Sequence, residues 1–342
     1  MRARIGTAVA VLLCASTPVA AAPASLVGPG PATSAADMNA RTAQIAGLGN
    51  FDAGRTVALP DGRWLSLTGD ATATAEQVWP VYDNAAVIWD SAGQHRVVPP
   101  GGGDFFPRWE DGSEFWPLSL VVVGARAYVI GSRVLTADGD MQWTALGAYG
   151  AVVDLAADED PRFVRYFPTP SSLLDDTAVQ WYGAIAYDGT YVYVHGVKDR
   201  PDAYHARDGG YVARVPLAKV EVPHRWQFWT GLQWQSRADL ATSTIPVGGA
   251  STNGTSSAYT LHRRPDGTWQ VTTKRGGDLA DELGRYVATT PRGPWTWESL
   301  LTVCPSDCYL AGAAPTIPTV SGQLLVQWSR RGSTPYWAEV PQ

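Results

Sequence analysis

The chain is 342 residues long, 45% hydrophobic and 17% charged, with 26 Lys and Arg against 32 Asp and Glu for a formal charge of −6. It is too long for a stapled mini-domain and too apolar for a disordered protein, and it offers no basic face to nucleic acid. No apolar run after the N-terminus reaches the length of a bilayer span, which excludes a multi-span membrane protein.

Residues 1–22 read as a signal peptide: Arg2 and Arg4 supply the charged start, Ala8 to Ala15 the apolar middle, and Pro18 to Ala22 a small-residue cleavage zone. Secretion to the extracellular side follows. Residues 23–48, rich in Ala, Pro, Ser and Gly, read as a flexible leader. From residue 49 to 342 the texture is uniform, and short alternating or β-branched runs are separated by Gly, Pro, Asp and Asn. Such runs are Arg63 to Thr68, Leu118 to Val123, Ala125 to Ile130, Gly183 to Tyr187, Tyr191 to Val194, Tyr259 to Arg263 and Trp269 to Thr273. Hairpin turns are expected at Asp61-Gly62, Asp188-Gly189 and Asp266-Gly267. Only the stretch from Asp278 to Arg285 has a pattern that fits a short helix.

The runs recur weakly, and the stretch from Asn50 to Gln342 divides into five units of about sixty residues, near the period of a four-stranded blade. The expected fold is all-β, a single five-bladed β-propeller. Six or seven smaller blades fit less well, and a β-sandwich with an appended domain is the alternative. The 15 Trp and 14 Tyr against 7 Phe suit such strands, and they also suit a surface that stacks sugar rings.

Propellers gather ligand-binding side chains at one end of the central channel, so carboxylates just beyond strand ends are the candidates. Gly69-Asp70 ends one strand and Asp52 opens its partner across the Asp61-Gly62 turn, so both carboxylates emerge at the same end. Two such groups are what glycoside hydrolysis requires, one as acid and one as base or nucleophile. Either could equally be a turn residue or part of a cation site. Trp79, Trp116, Trp181 and Trp229 are candidate stacking faces; Asn84, Glu114 and His195 are candidates to orient hydroxyls. Blade packing is the plainer role for about half of the tryptophans, and a core position the plainer one for His195. The five His have no metal-ligand spacing, and nucleotide and serine-hydrolase motifs do not occur. No cofactor is expected, although a structural cation in the channel is compatible with the fold. A monomer is expected. Asn253-Gly-Thr255 fits a glycosylation sequon, and Cys304 and Cys308 are spaced to close a small disulfide loop.

Several stretches also resemble a known family. The run Asp61-Gly-Arg-Trp-Leu-Ser-Leu-Thr-Gly-Asp70 resembles the Gly-Asp strand of the secreted domain-of-unknown-function 4185 family. Phe115 to Val129, Trp181 to Gly196, Tyr211 to Pro216, Trp226 to Trp234 and Tyr286 to Trp295 are similar to its later hairpins, in the same order. The resemblance implies a five-bladed propeller related to arabinanase and levansucrase folds. It implies kinship with the endo-D-arabinanases of glycoside hydrolase family 183, which cut arabinan in mycobacterial-type cell walls. It also implies that the family's paired acids fall on Asp52 and Asp70. A non-catalytic glycan-binding propeller of the same fold is the competing expectation.

Overall fold

A computed structural model describes residues 32–342 apart from 46–47, 50, 73–81, 91, 93, 100–102, 137–142, 158, 174–177, 200–206, 247–253, 304–307 and 331–333. The signal peptide, Trp79, Cys304 and the Asn253 sequon therefore lie outside the described residues. Twenty strands form five antiparallel sheets in chain order. Blade 1 contains β1 (Asp52–Ala58), β2 (Trp64–Ala71), β3 (Tyr82–Trp89) and β4 (His95–Val98). Blade 2 contains β5 (Glu114–Val123), β6 (Arg126–Thr136), β7 (Trp143–Asp154) and β8 (Arg162–Pro168). Blade 3 has five strands, β9 (Gln180–Tyr187), β10 (Tyr191–Asp199), β11 (Arg207–Pro216), β12 (Gln227–Trp229) and β13 (Trp234–Gln235). Blade 4 contains β14 (Thr260–Arg263), β15 (Trp269–Lys274), β16 (Glu282–Ala288) and β17 (Thr296–Thr302). Blade 5 has three strands, β18 (Cys308–Ala313), β19 (Leu324–Arg330) and β20 (Tyr336–Val340).

The first strand of each blade lies innermost. β1 touches β5, β5 touches β9, β9 touches β14, and β18 returns to β1. Thr260 closes the remaining step, donating from Oγ1 to the Ala313 carbonyl at 3.1 Å. The ring is the expected five-bladed propeller.

Side-chain alternation along the strands explains how the blades cohere. Ala127 and Val129 of β6 pack toward blade 1 with Leu65, Leu67 and Ile88, while Tyr128 and Ile130 pack toward blade 3 with Trp181, Ile185 and Val194. Each period-2 strand thus feeds two cores, and five apolar clusters fill the five junctions between blades. Fully burying one such aliphatic side chain is worth about 1.5–3 kcal/mol. The junctions, rather than any single sheet, hold the ring together.

Two expectations are corrected. The segment read as a flexible leader contains helix α1 (Ala35–Thr42), capped by Ser34, whose hydroxyl accepts from the Asp37 N–H. Met38, Ile45 and Leu48 join the junction between blades 5 and 1, so the Ala-rich stretch had a buried face. Asn39 accepts from the Trp337 N–H at 2.9 Å and donates to the Trp337 carbonyl at 3.0 Å. One side-chain amide thereby serves the free edge of β20 where the other blades have a fourth strand. The stretch from Asp278 to Arg285 is a turn followed by β16, because strand pairing with β15 and β17 on both sides outweighs its helical pattern.

Candidate active site

The Asp61-Gly62 turn joins β1 to β2 as expected, and Asp52 stands directly opposite Gly69. Asp52 and Asp70 therefore lie side by side at one end of the innermost hairpin. A β-bulge between Asp52 and Arg55 re-aims the start of β1. Gly54 allows it, since a Cβ there would fall 1.2 Å from the Leu67 carbonyl oxygen. Asp70 has φ of 37°, in the left-handed region that Asp adopts more readily than most residues. Strained backbone of this kind concentrates at functional sites, where surrounding structure holds it. Leu310, with φ of 41°, is the second such position among the described residues, and it follows Tyr309 at a bulge in β18.

Tyr309 belongs to the same site: its hydroxyl donates to Asp52 Oδ1. The buried Lys274 ammonium donates to the carbonyls of Cys308 and Asp278, fixing the start of β18 beside Tyr309. Burial pushes that ammonium down to about 8. The innermost strand of blade 2 begins with Glu114, which accepts from Trp116 Nε1 at 2.9 Å and Thr136 Oγ1 at 2.6 Å. Arg108 holds Asp83 through two hydrogen bonds of 2.5 Å and lies 3.5 Å from Asp104 and 3.8 Å from Glu114.

The electrostatics divide this group. Burial raises the Asp52 carboxyl to about 7, while the Tyr309 hydrogen bond pulls the other way. Asp70 is raised well above the ordinary carboxylate range, first by burial and then by the charges of Asp52, Glu114 and Asp83. Burial and the neighbouring carboxylates favour the protonated form of Asp70, the character of an acid, while the phenol hydrogen bond favours the ionised form of Asp52.

The other expected site residues are spread more widely. Glu114 and Trp116 sit with the acids, and Trp143, 40% exposed at the start of β7, packs on Trp116 with ring centroids 5.2 Å apart. Asn84 is fully buried: its carbonyl accepts from the Phe106 N–H and its amide donates to the carbonyls of Phe106 and Phe115. Trp181 is 1% exposed in the core between blades 2 and 3. His195 is fully buried, with Nε2 2.9 Å from the Pro291 carbonyl, and burial lowers it to about 4. These three offer no surface to a ligand, which corrects their expected role. Trp229 lies on an outer strand of blade 3 with the Arg292 guanidinium 4.2 Å over its ring. Among the described residues no cluster of His, Cys, Asp or Glu is arranged to hold a metal.

Sequence reasoning missed Tyr309, Arg108 and Trp143. A usable signal existed for the first. Like Asp52 and Glu114, Tyr309 lies at the start of an innermost strand, and in a ring those starts converge.

A family model described as a domain of unknown function, DUF5005, matches residues 92–330. The chain belongs to the DUF5005 family. This match carries a different family name from the one the motifs resembled, and the hairpin bearing Asp52 and Asp70 lies before the matched segment. No curated protein matches the chain. Among solved structures, a proposed hydrolase from Bacteroides ovatus ATCC 8483 superposes with a TM-score of 0.64 at 12% identity, covering 89% of each chain. That likeness establishes the shared fold for this DUF5005 member. An α-L-arabinofuranosidase from Clostridium thermocellum overlaps at a TM-score of 0.48, with 14% identity and 82% of each chain covered. An endo-arabinase from Bacteroides thetaiotaomicron does so at 0.45, with 13% identity over 85% of this chain and 94% of its own. At these scores the likeness is one of outline and carries nothing about chemistry.

Proposed function

We propose that the protein is a secreted glycoside hydrolase acting on an arabinan-type cell-wall polysaccharide, endo-D-arabinanase-like in its substrate class. The observation that carries the reading is a pair of adjacent carboxylates on the innermost hairpin, both pushed upward, with a phenol bonded to one of them. Asp70 protonates the glycosidic oxygen as the general acid. Asp52, ionised and oriented by Tyr309, acts as the base on water or as the nucleophile. Glu114 and Trp116 stand beside the acids, and Trp143 offers an aromatic face to a sugar ring. The arabinan part of the reading is supported by the motif resemblance alone.

The test is product release from mycobacterial-type arabinogalactan, read by chromatography, for the wild type and for Asp52→Asn and Asp70→Asn. Wild type is expected to release oligosaccharides, and each variant to lose at least about 100-fold in rate, as removal of an acid or base does. Absence of products with retained binding to the same glycan would replace the hydrolase with a lectin-like propeller.

A further inference from the structure

Three residues beyond Asp52 on β1 lies Arg55, a guanidinium only 4% exposed. Its Nη1 donates to the Gly54 carbonyl at 2.9 Å, whereas Nε and Nη2 have no hydrogen-bond partner among the described residues. Burial lowers it to about 10, so it stays protonated at neutral pH. A buried guanidinium is unfavourable unless a counter-charge sits beside it.

The two orphaned nitrogens are informative as a pair. Nε and Nη2 share one edge of the planar guanidinium, the edge that presents parallel N–H bonds to an anion. The surroundings come from three blades. A Cβ on Gly312 of β18 would meet Arg55 Cζ at 3.0 Å and Thr260 Oγ1 of β14 at 2.6 Å. Arg55 Nη1 would lie 3.1 Å from the same Cβ, so the bonded side of the guanidinium packs against the Gly312 backbone where the innermost strands of blades 1, 4 and 5 converge, and the Nε–Nη2 edge is the side left without a partner.

We propose that the Nε–Nη2 edge of Arg55 binds a small monovalent anion inside the ring, with chloride as the probe and formate as its two-oxygen counterpart. Water would satisfy the N–H groups and leave the charge uncompensated; an anion does both. A structural cation, which the sequence left open for the channel, would have to sit away from this charge. The inference is independent of any hydrolase activity.

Crystals of the whole protein soaked in bromide decide the matter. One anomalous peak is expected on the Nε–Nη2 edge; no peak there, with ordered water alone, overturns the proposal. In solution, replacing gluconate by chloride at constant ionic strength should raise the melting temperature saturably, by roughly 3–5 °C at 100 times the dissociation constant. Arg55→Met should remove that dependence. A chloride response that persists in Arg55→Met would place the anion elsewhere and also overturn the assignment.

Discussion

Two groups of carboxylates share one end of this propeller and are treated in opposite ways. Asp83, Asp104 and Glu114 surround Arg108, whose fork holds Asp83 on both oxygens. Among the described residues Asp52 and Asp70 have no such cation: one receives a phenol and the other a bond from its own backbone, with the charges of its neighbours added to burial. Burial raises Asp83 as well, but the Arg108 hydrogen bonds work against it. The difference shows how a fold makes an acid: it places several carboxylates together and gives the cation to only some of them. Arg108 also belongs to the loop before β5, so the charge that quiets one group arrives from the connection between blades.

Breaking the clamp should have the largest effect on stability. Arg108→Met leaves Asp83 buried and unpaired; because the guanidinium is half exposed, the expected cost is about 2 kcal/mol rather than the full value for a buried pair. Urea unfolding at pH 7.5 measures it, and the deficit should shrink toward pH 4 as Asp83 takes up a proton. A smaller effect of opposite sign is expected from Asp70→Asn. The folded carboxyl binds its proton more tightly than the unfolded one, whose ordinary value is 3.8. Its contribution is therefore fully present below that value and is lost as pH rises through the folded pKa. Asn removes the loss, so the variant should melt a few degrees higher than wild type at pH 8 and equally at pH 3.5. Equal melting at both pH values would mean that the group is not raised.

The smallest change is Tyr309→Phe. Loss of the hydrogen bond should move Asp52 above about 7, shifting the acidic limb of the pH–rate profile upward by less than about one unit. An unchanged limb would separate Asp52 from the rate-determining ionisation.

The innermost hairpin was readable in advance because its turn is spelled by Asp61-Gly62 and its register follows from alternation. The same logic placed Asp52 and Asp70 at one end before any coordinates. Arg108 was not readable, since it reaches the site from the connection between blades and nothing local marks that reach, whereas Tyr309 was legible only through its place at the start of an innermost strand. Asn84, Trp181 and His195 failed for a related reason. Period-2 reading says which residues share a face and leaves open whether that face meets the channel or the next blade. Helix α1 was hidden by composition: an Ala-rich stretch resembles a linker unless Met38 and Ile45 are recognised as one buried stripe.

The way that helix meets β20 governs when the ring can close. Asn39 and Trp337 are 298 residues apart, and Thr33 bridges to Thr319 on the same blade. The segment around Asn39 leaves the ribosome long before the segment it must pair with. Contacts of such separation form slowly, because loop-closure entropy is spent before they contribute. Until blade 5 exists, Met38 of α1 has only the blade 1 half of its core. Synthesis alone therefore cannot complete this propeller blade by blade; its final step brings together segments 298 residues apart.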